Sequence, residues 1–193
     1  MTEASARDEV LTAAATLFYE RGIQAVGMDA VRAESGVSLK RIYAMFPSKD
    51  DLVTAVLARG TATWEAGIEA AAAGAQTPRE ELLAVFDFLR TWFEEDTFRG
   101  CVFINSFGEL GAVSPRVADL AREQKRSFAD YVSERVRQVG GPELLARQLV
   151  ILAEGAQASA AIAGSVETAD DAKAAAEALI DLALNPSPSP KGD

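Results

Sequence analysis

The chain has 193 residues, 49% of them hydrophobic and 25% charged, with 19 Lys or Arg against 29 Asp or Glu and a net charge of −10. It contains no histidine and a single cysteine, Cys101. These counts exclude triads built on a His base, HExxH zinc sites, His proton relays and an intramolecular disulfide. Taken whole, the acidity also argues against a nucleic-acid partner.

No run of about 18 apolar residues occurs, so no membrane span is expected. The segment Met1 to Asp8 carries Glu3, Arg7 and Asp8 and lacks the cationic-then-apolar order of a signal peptide, which points to a cytoplasmic protein. Ala, Leu, Glu and Arg dominate, prolines stand at segment edges and period-2 alternation is absent. An all-α chain is expected.

A first helix is predicted over Ser5 to Arg21, with Val10, Ala14, Leu17 and Phe18 on one face and Gly22 as its stop. A short second helix covers Met28 to Ser35 and ends at Gly36. Ser38 can cap a short third helix reaching Met45, with Ile42 and Phe46 turned inward. After Pro47, Ser48 and Asp51 read as a capping box that opens a long fourth helix toward Ala73. Thr77-Pro78-Arg79-Glu80 opens a fifth, with Leu82, Phe86, Leu89 and Phe93 at helical spacing. Cys101 to Leu110 forms a short sixth. Ser114-Pro115 starts a seventh running to Val139, and Gly140-Gly141-Pro142 an eighth reaching Gly164. Thr168 with Asp171 is expected to cap a ninth, ending near Leu184. The tail Asn185 to Asp193, with Pro186, Pro188 and Pro190, cannot hold a helix and is expected to be disordered.

Two short helices separated by Gly36-Val37 make a helix-turn-helix, in which Gly36 takes the turn and Val37 plugs the corner. The first turn of the second of these helices, Leu39-Lys40-Arg41, can face a major groove. Lys40 or Arg41 then reaches guanine O6 and N7, and Leu39 a thymine methyl. Helix N-termini add free N–H groups for phosphate.

The run Gly36-Val37-Ser38, Ile42-Tyr43, Phe46, Ser48-Lys49 and Leu52, preceded by Ala14, Leu17-Phe18 and Gly22, closely resembles the tetracycline-repressor (TetR) family over about Val10 to Leu57. The remainder is similar only in the number and length of its helices, together with the segment Arg99 to Asn105 and Glu109. The resemblance implies an N-terminal three-helix DNA-binding domain (residues 1–50) and a larger helical ligand-binding and dimerisation domain (51–184). It also implies a homodimeric regulator, usually a repressor, released from a palindromic double-stranded operator by a small molecule. By position, Ser38, Leu39, Lys40 and Arg41 lie at the groove, while Tyr43 and Lys49 hold phosphates. One departure stands out: the family commonly places Thr or Ser just before the second helix, where this chain has Val26-Gly27 and no hydroxyl.

The effector reading rests on aromatic residues among Ala-rich helices. Trp64, Phe86, Trp92, Phe103 and Phe107 are candidates to line an apolar cavity, and the same spacing suits ordinary core. Asn105 and Glu109, four apart, share a helix face and can fix a ligand's polar group or pair on the surface. No cofactor and no metal site is expected. Cys101, set among apolar residues, reads as an inert thiol. Glu94-Glu95-Asp96 reads as a solvated helix end, not a catalytic pair.

In the last two long helices, Leu145, Leu149, Leu152, Ala156, Ser159 and Ala163 repeat on one face. Ala172, Ala175, Ala176, Leu179, Leu182 and Ala183 supply the other helix. Two such pairs can form a four-helix bundle across a two-fold axis. A rival reading, prompted by Gly27 and the acidity, is a ligand-binding or protein-interaction module that has lost DNA binding; an enzyme is disfavoured. The charge itself divides unevenly. Residues 1–60 hold seven basic against eight acidic side chains, net −1, which leaves −9 to the rest. The acidity therefore argues only against indiscriminate DNA binding.

Overall fold

The computed structural model describes residues 2–185, and among them the chain forms nine α-helices and no strand. They are α1 (Glu3–Arg21), α2 (Met28–Ser35), α3 (Leu39–Met45), α4 (Lys49–Ala72), α5 (Pro78–Phe93), α6 (Val102–Leu110), α7 (Pro115–Gln138), α8 (Glu143–Ala163) and α9 (Glu167–Leu184). The all-α expectation and the predicted order hold, with ends displaced by one or two residues. The expected disorder of the tail falls, beyond Asn185, outside the described residues.

The stop and start signals act through identifiable hydrogen bonds. Thr77 accepts from the Glu80 N–H at 3.2 Å while the Glu80 carboxylate accepts from the Thr77 N–H at 3.2 Å, a complete capping box. Ser48 and Asp51 exchange the same pair of bonds at 3.1 Å each. Two expected caps differ. Ser38 occupies the N-cap position of α3, but its hydroxyl makes no capping bond. Thr168 lies inside α9, whose N-cap is Val166, and the side chain holding that helix start is Ser165, which donates to Glu167 at 2.7 Å.

The chain divides into two compact units. One comprises the residues up to Trp64 together with Arg99–Gln124; the other comprises Glu65–Phe98 together with the residues from Lys125 onward. This division cuts across a linear split near residue 50, because α6 and the first part of α7 pack with the N-terminal helices.

In the first unit, α1, α2 and α3 pack around Val10, Ala14, Leu17, Phe18, Ile23, Val31, Val37, Ile42 and Phe46, all buried. Leu52, Val53 and Leu57 from α4 and Cys101 and Phe103 from around α6 complete this core. In the second unit, α5, α8 and α9 pack against one another. Leu82, Phe86 and Leu89 of α5, Leu145, Leu149 and Ala153 of α8 and Ala172, Ala176 and Ile180 of α9 are all buried in its interior. Trp92, Phe93 and Phe98 form an aromatic group with ring centroids 4.7 to 6.3 Å apart. Ion pairs Arg79–Asp181, Arg90–Asp170 and Lys173–Asp87 run along the α5–α9 seam at 2.9, 3.2 and 2.6 Å. Such exposed pairs each contribute about 0–1 kcal/mol, so register along the seam rests mainly on the apolar contacts.

Candidate nucleic-acid interface

The turn between α2 and α3 is built as a helix-turn-helix requires. Gly36 has φ +67° and ψ +4°, the left-handed conformation that costs an L side chain about 1–2 kcal/mol, and its N–H closes α2 onto Arg32 O at 3.1 Å. Val37 is buried next to it. Gly27 caps α2 with extended backbone and no side-chain bond, its carbonyl accepting from Ala30 and Val31. Burial of Ile42 and Phe46 fixes which side of α3 turns inward, so Ser38, Lys40 and Tyr43 stand outward, Tyr43 at 45% exposure. Leu39 and Arg41 are half-buried at the edge of this surface.

Two of the expected contact residues have internal partners. Arg41 Nη2 donates to the Thr2 carbonyl at 2.9 Å, tying residue 2 to α3. Lys49 Nζ donates to the Ile23 carbonyl at 2.5 Å and lies 6.0 Å from the Phe18 ring centroid. Partial burial lowers the Lys49 pKa from the usual lysine value, and the Glu109 carboxylate offsets part of that effect. Arg7 covers the Phe46 ring from outside, 4.5 Å from its centroid.

The residues proposed to meet an effector are divided between the two units. Trp64, Phe103, Asn105, Phe107 and Glu109 belong to the first, Phe86 and Trp92 to the second. Phe86 and Phe103 are fully buried, Trp64 is buried, and Phe107 is exposed beneath the Arg122 guanidinium. Asn105 and Glu109 do share a face of α6, where they border a cleft of about 310 Å³ with Phe18, Tyr19, Gly22 and Ile23 of α1 and its following turn. Both are already engaged: Asn105 donates to the Arg99 carbonyl at 3.0 Å, and the Glu109 carboxylate accepts from the Ile23 and Gln24 N–H groups at 3.1 and 3.0 Å. Sequence reasoning gave no role to Tyr19 or Gln24. Tyr19 Oη accepts from the Arg99 N–H and donates to the Gly100 carbonyl at 2.8 and 2.7 Å. With partners 80 or more residues away, no local pattern marks either residue.

In the second unit Gln157 is fully buried on α8. Its Nε2 donates to the Ala153 carbonyl at 3.1 Å, and its Oε1 has no hydrogen-bond partner among the described residues. The α8–α9 residues expected to meet a second copy are divided between the inside and the outside of the chain. Leu145, Leu149, Ala156, Ala172 and Ala176 are buried within the chain itself. Ser159, Ala163 and Leu182 of the expected set are exposed, Leu182 by 66%, and the further outward apolar residues are Leu144, Ile151 and Ile162, exposed by 55%, 69% and 88%. An Ala-rich helix carries two apolar faces, so periodicity alone could not say which one turns inward.

An all-helical chain with a helix-turn-helix in its first unit is the architecture of a helical transcription regulator. The sequence profile of bacterial regulatory proteins of the tetR family matches residues 10–56. The crystal structure of a TetR-family transcriptional regulator from Streptomyces coelicolor superposes with a TM-score of 0.88 at 28% identity, covering 94% of this chain and 97% of that one. A putative TetR transcriptional regulator from Streptomyces avermitilis matches with a TM-score of 0.79 at 30% identity, covering 92% of this chain and 97% of that one. The HTH-type transcriptional activator FasR of Mycolicibacterium smegmatis is 29% identical over 139 residues, 71% of this chain. That match spans 61% of FasR's own length. The chain belongs to the TetR family of transcriptional regulators. No helix among the described residues is long and apolar enough to cross a membrane.

Proposed function

We propose that the protein is a homodimeric, sequence-specific regulator that binds a palindromic operator in the cytoplasm and acts as a repressor released by a small molecule. The observation that carries the DNA reading is the outward surface of α3, where Ser38, Lys40 and Tyr43 are grouped and Leu39 and Arg41 sit at the edge. On docking, Lys40 and Arg41 read base edges, Leu39 meets a thymine methyl, and the Tyr43 hydroxyl and the α3 N–H groups hold phosphates. Lys49 meets phosphate only by leaving the Ile23 carbonyl, so its main service is to the turn behind α3. Replacing Lys40 and Arg41 together by Ala is expected to abolish binding to the chain's own upstream DNA in a gel shift while the oligomeric state stays the same. Unchanged affinity would sink the assignment.

The outward stripe on α8 supports a homodimer. Leu144, Ile151 and Ile162 recur at helical spacing with the exposed Gly155 and Ala158 between them. Small residues there allow close approach of a second copy. Pairing through α8 and α9 would set two recognition helices about one helical turn of DNA apart.

The candidate effector residues are Trp64, Phe103, Asn105, Phe107 and Glu109 in the first unit and, taken separately, Phe86 and Trp92 in the second, where Gln157 joins them. A buried amide oxygen without a donor costs about 1–3 kcal/mol, which an effector carrying an O–H or N–H group would offset. FasR is named an activator, which favours activation as the second reading of the sign. A reporter fused to the selected operator decides it, since deletion of the gene raises expression for a repressor and lowers it for an activator.

A further inference from the structure

We infer that Glu109 is a positioning residue for DNA recognition, a carboxylate on α6 that sets the turn after α1 and thereby the placement of α2 and α3. The inference rests on the DNA-binding reading above. Glu109 Oε1 accepts from the Ile23 N–H at 3.1 Å and Oε2 from the Gln24 N–H at 3.0 Å, while Gln24 Nε2 returns a bond to the Glu109 carbonyl at 2.8 Å. The partners are 85 or 86 residues apart in sequence. A charged acceptor holding two successive N–H groups fixes a turn more firmly than neutral bonds do.

The turn itself is fitted to the carboxylate. Gly22 has φ +83°, and a Cβ there would stand 3.2 Å from Glu109 Oε2. The Ile23–Gln24 peptide gives its N–H to the Glu109 carboxylate and its carbonyl to Lys49, so it is held between a carboxylate from α6 and an ammonium from α4. Ile23 and Val26 are buried and carry the turn directly into Gly27 and α2. The loop after α6 and the start of α7 are anchored to α4 as well, since Ser114 donates to Asp50 at 2.8 Å and Arg116 to Asp51 at 2.7 Å. Segment 102–116 thus grips the three-helix head at two places, the α1–α2 turn and the start of α4. Any displacement of α6 must either move that turn or break its bonds.

The test compares wild type with Glu109→Gln on two duplexes: one selected from random DNA by the wild-type protein, and one of shuffled sequence. A glutamine keeps the shape of the side chain but accepts on one atom only and turns an N–H₂ donor toward the second backbone N–H. Affinity for the selected duplex is expected to fall about tenfold, the loss of one charge-assisted bond, with shuffled-duplex affinity unchanged within about twofold. Amide exchange at Ile23 and Gln24 should quicken in the same variant. Loss of folding alone would not produce that split between the two duplexes. Should Glu109→Gln fail to fold, Gln24→Ala removes only the return bond from an exposed side chain, and a smaller fall confined to the selected duplex is expected. A folded variant that binds the selected duplex as tightly as wild type would overturn the inference. A wild-type protein that selects no duplex would overturn the functional reading, and the inference with it.

Discussion

Replacing Gly36 by Ala separates backbone conformation from packing at the recognition turn. At Gly36 a Cβ would meet nothing within 4 Å, so no steric cost arises from neighbours. What remains is the left-handed φ of +67°, worth about 1–2 kcal/mol against an L residue, less the few tenths to about 1 kcal/mol by which Ala narrows the unfolded ensemble. The net expectation is a loss of about 1 kcal/mol. Gly108 supplies the control within the same unit, since it lies inside α6 with helical backbone and also has nothing within 4 Å of its Cβ position. There the same substitution should stabilise by about 0.5–1 kcal/mol through helix propensity. Urea denaturation of the two single variants, read by circular dichroism with a common slope, measures the contrast. Opposite signs separated by about 1.5–2 kcal/mol are expected. Two shifts of the same sign and size would refute the claim that Gly36 is present for its backbone conformation.

Three further outcomes follow from the same structure. Ile151→Glu with Ile162→Glu, on the outward stripe of α8, should convert a dimer to monomers in sedimentation velocity with helix content unchanged; a persisting dimer would place the interface elsewhere. Phe46→Ala, which empties the buried junction between α3 and α1, should cost about 3–5 kcal/mol in urea denaturation, and a loss below about 1 kcal/mol would contradict its place in the core. In acid, the Asp51 carboxyl is held below its ordinary value by its bonds from Ser48 and Arg116, and Glu134 is lowered chiefly by Arg137 and Gln138. Groups with depressed pKa values stabilise the fold above their unfolded values and lose that contribution as pH falls through the folded ones. With no histidine in the sequence, stability should therefore hold between about pH 8 and 5 and decline below it, the decline being shallower in Asp51→Asn.

Much of the fold was legible because its boundaries are written in local chemistry. Thr77-Pro78 with Glu80, Ser48 with Asp51, and Gly36 each act within a few residues, and each acts as the sequence suggests. The helix-turn-helix was readable for the same reason, since Val37, Ile42 and Phe46 are buried at the positions the pattern demands. What sequence could not supply were contacts set by packing between distant segments. Nothing around Glu109 announces that its carboxylate holds the backbone of Ile23 and Gln24, and Lys49 looks like a surface cation until the turn arrives beneath it. The α8 helix shows a second limit: its Ala-rich surface offers two apolar stripes, and only the presence of α5 and α9 decides that Leu145 and Leu149 go inward while Ile151 and Ile162 face out. Effector residues stay hardest to read, because an aromatic side chain serves a core and a cavity with the same spacing.

The central claim, sequence-specific DNA recognition by α3, is tested most directly by selecting duplexes from random DNA with the full chain and measuring affinity for the enriched sequence across a salt series. The enriched site is expected to be palindromic with half-sites about one helical turn apart, bound by wild type with a marked salt dependence and lost in the Lys40→Ala, Arg41→Ala double variant. No enrichment above the starting pool, or an enriched site that the double variant binds as well as wild type, would contradict it.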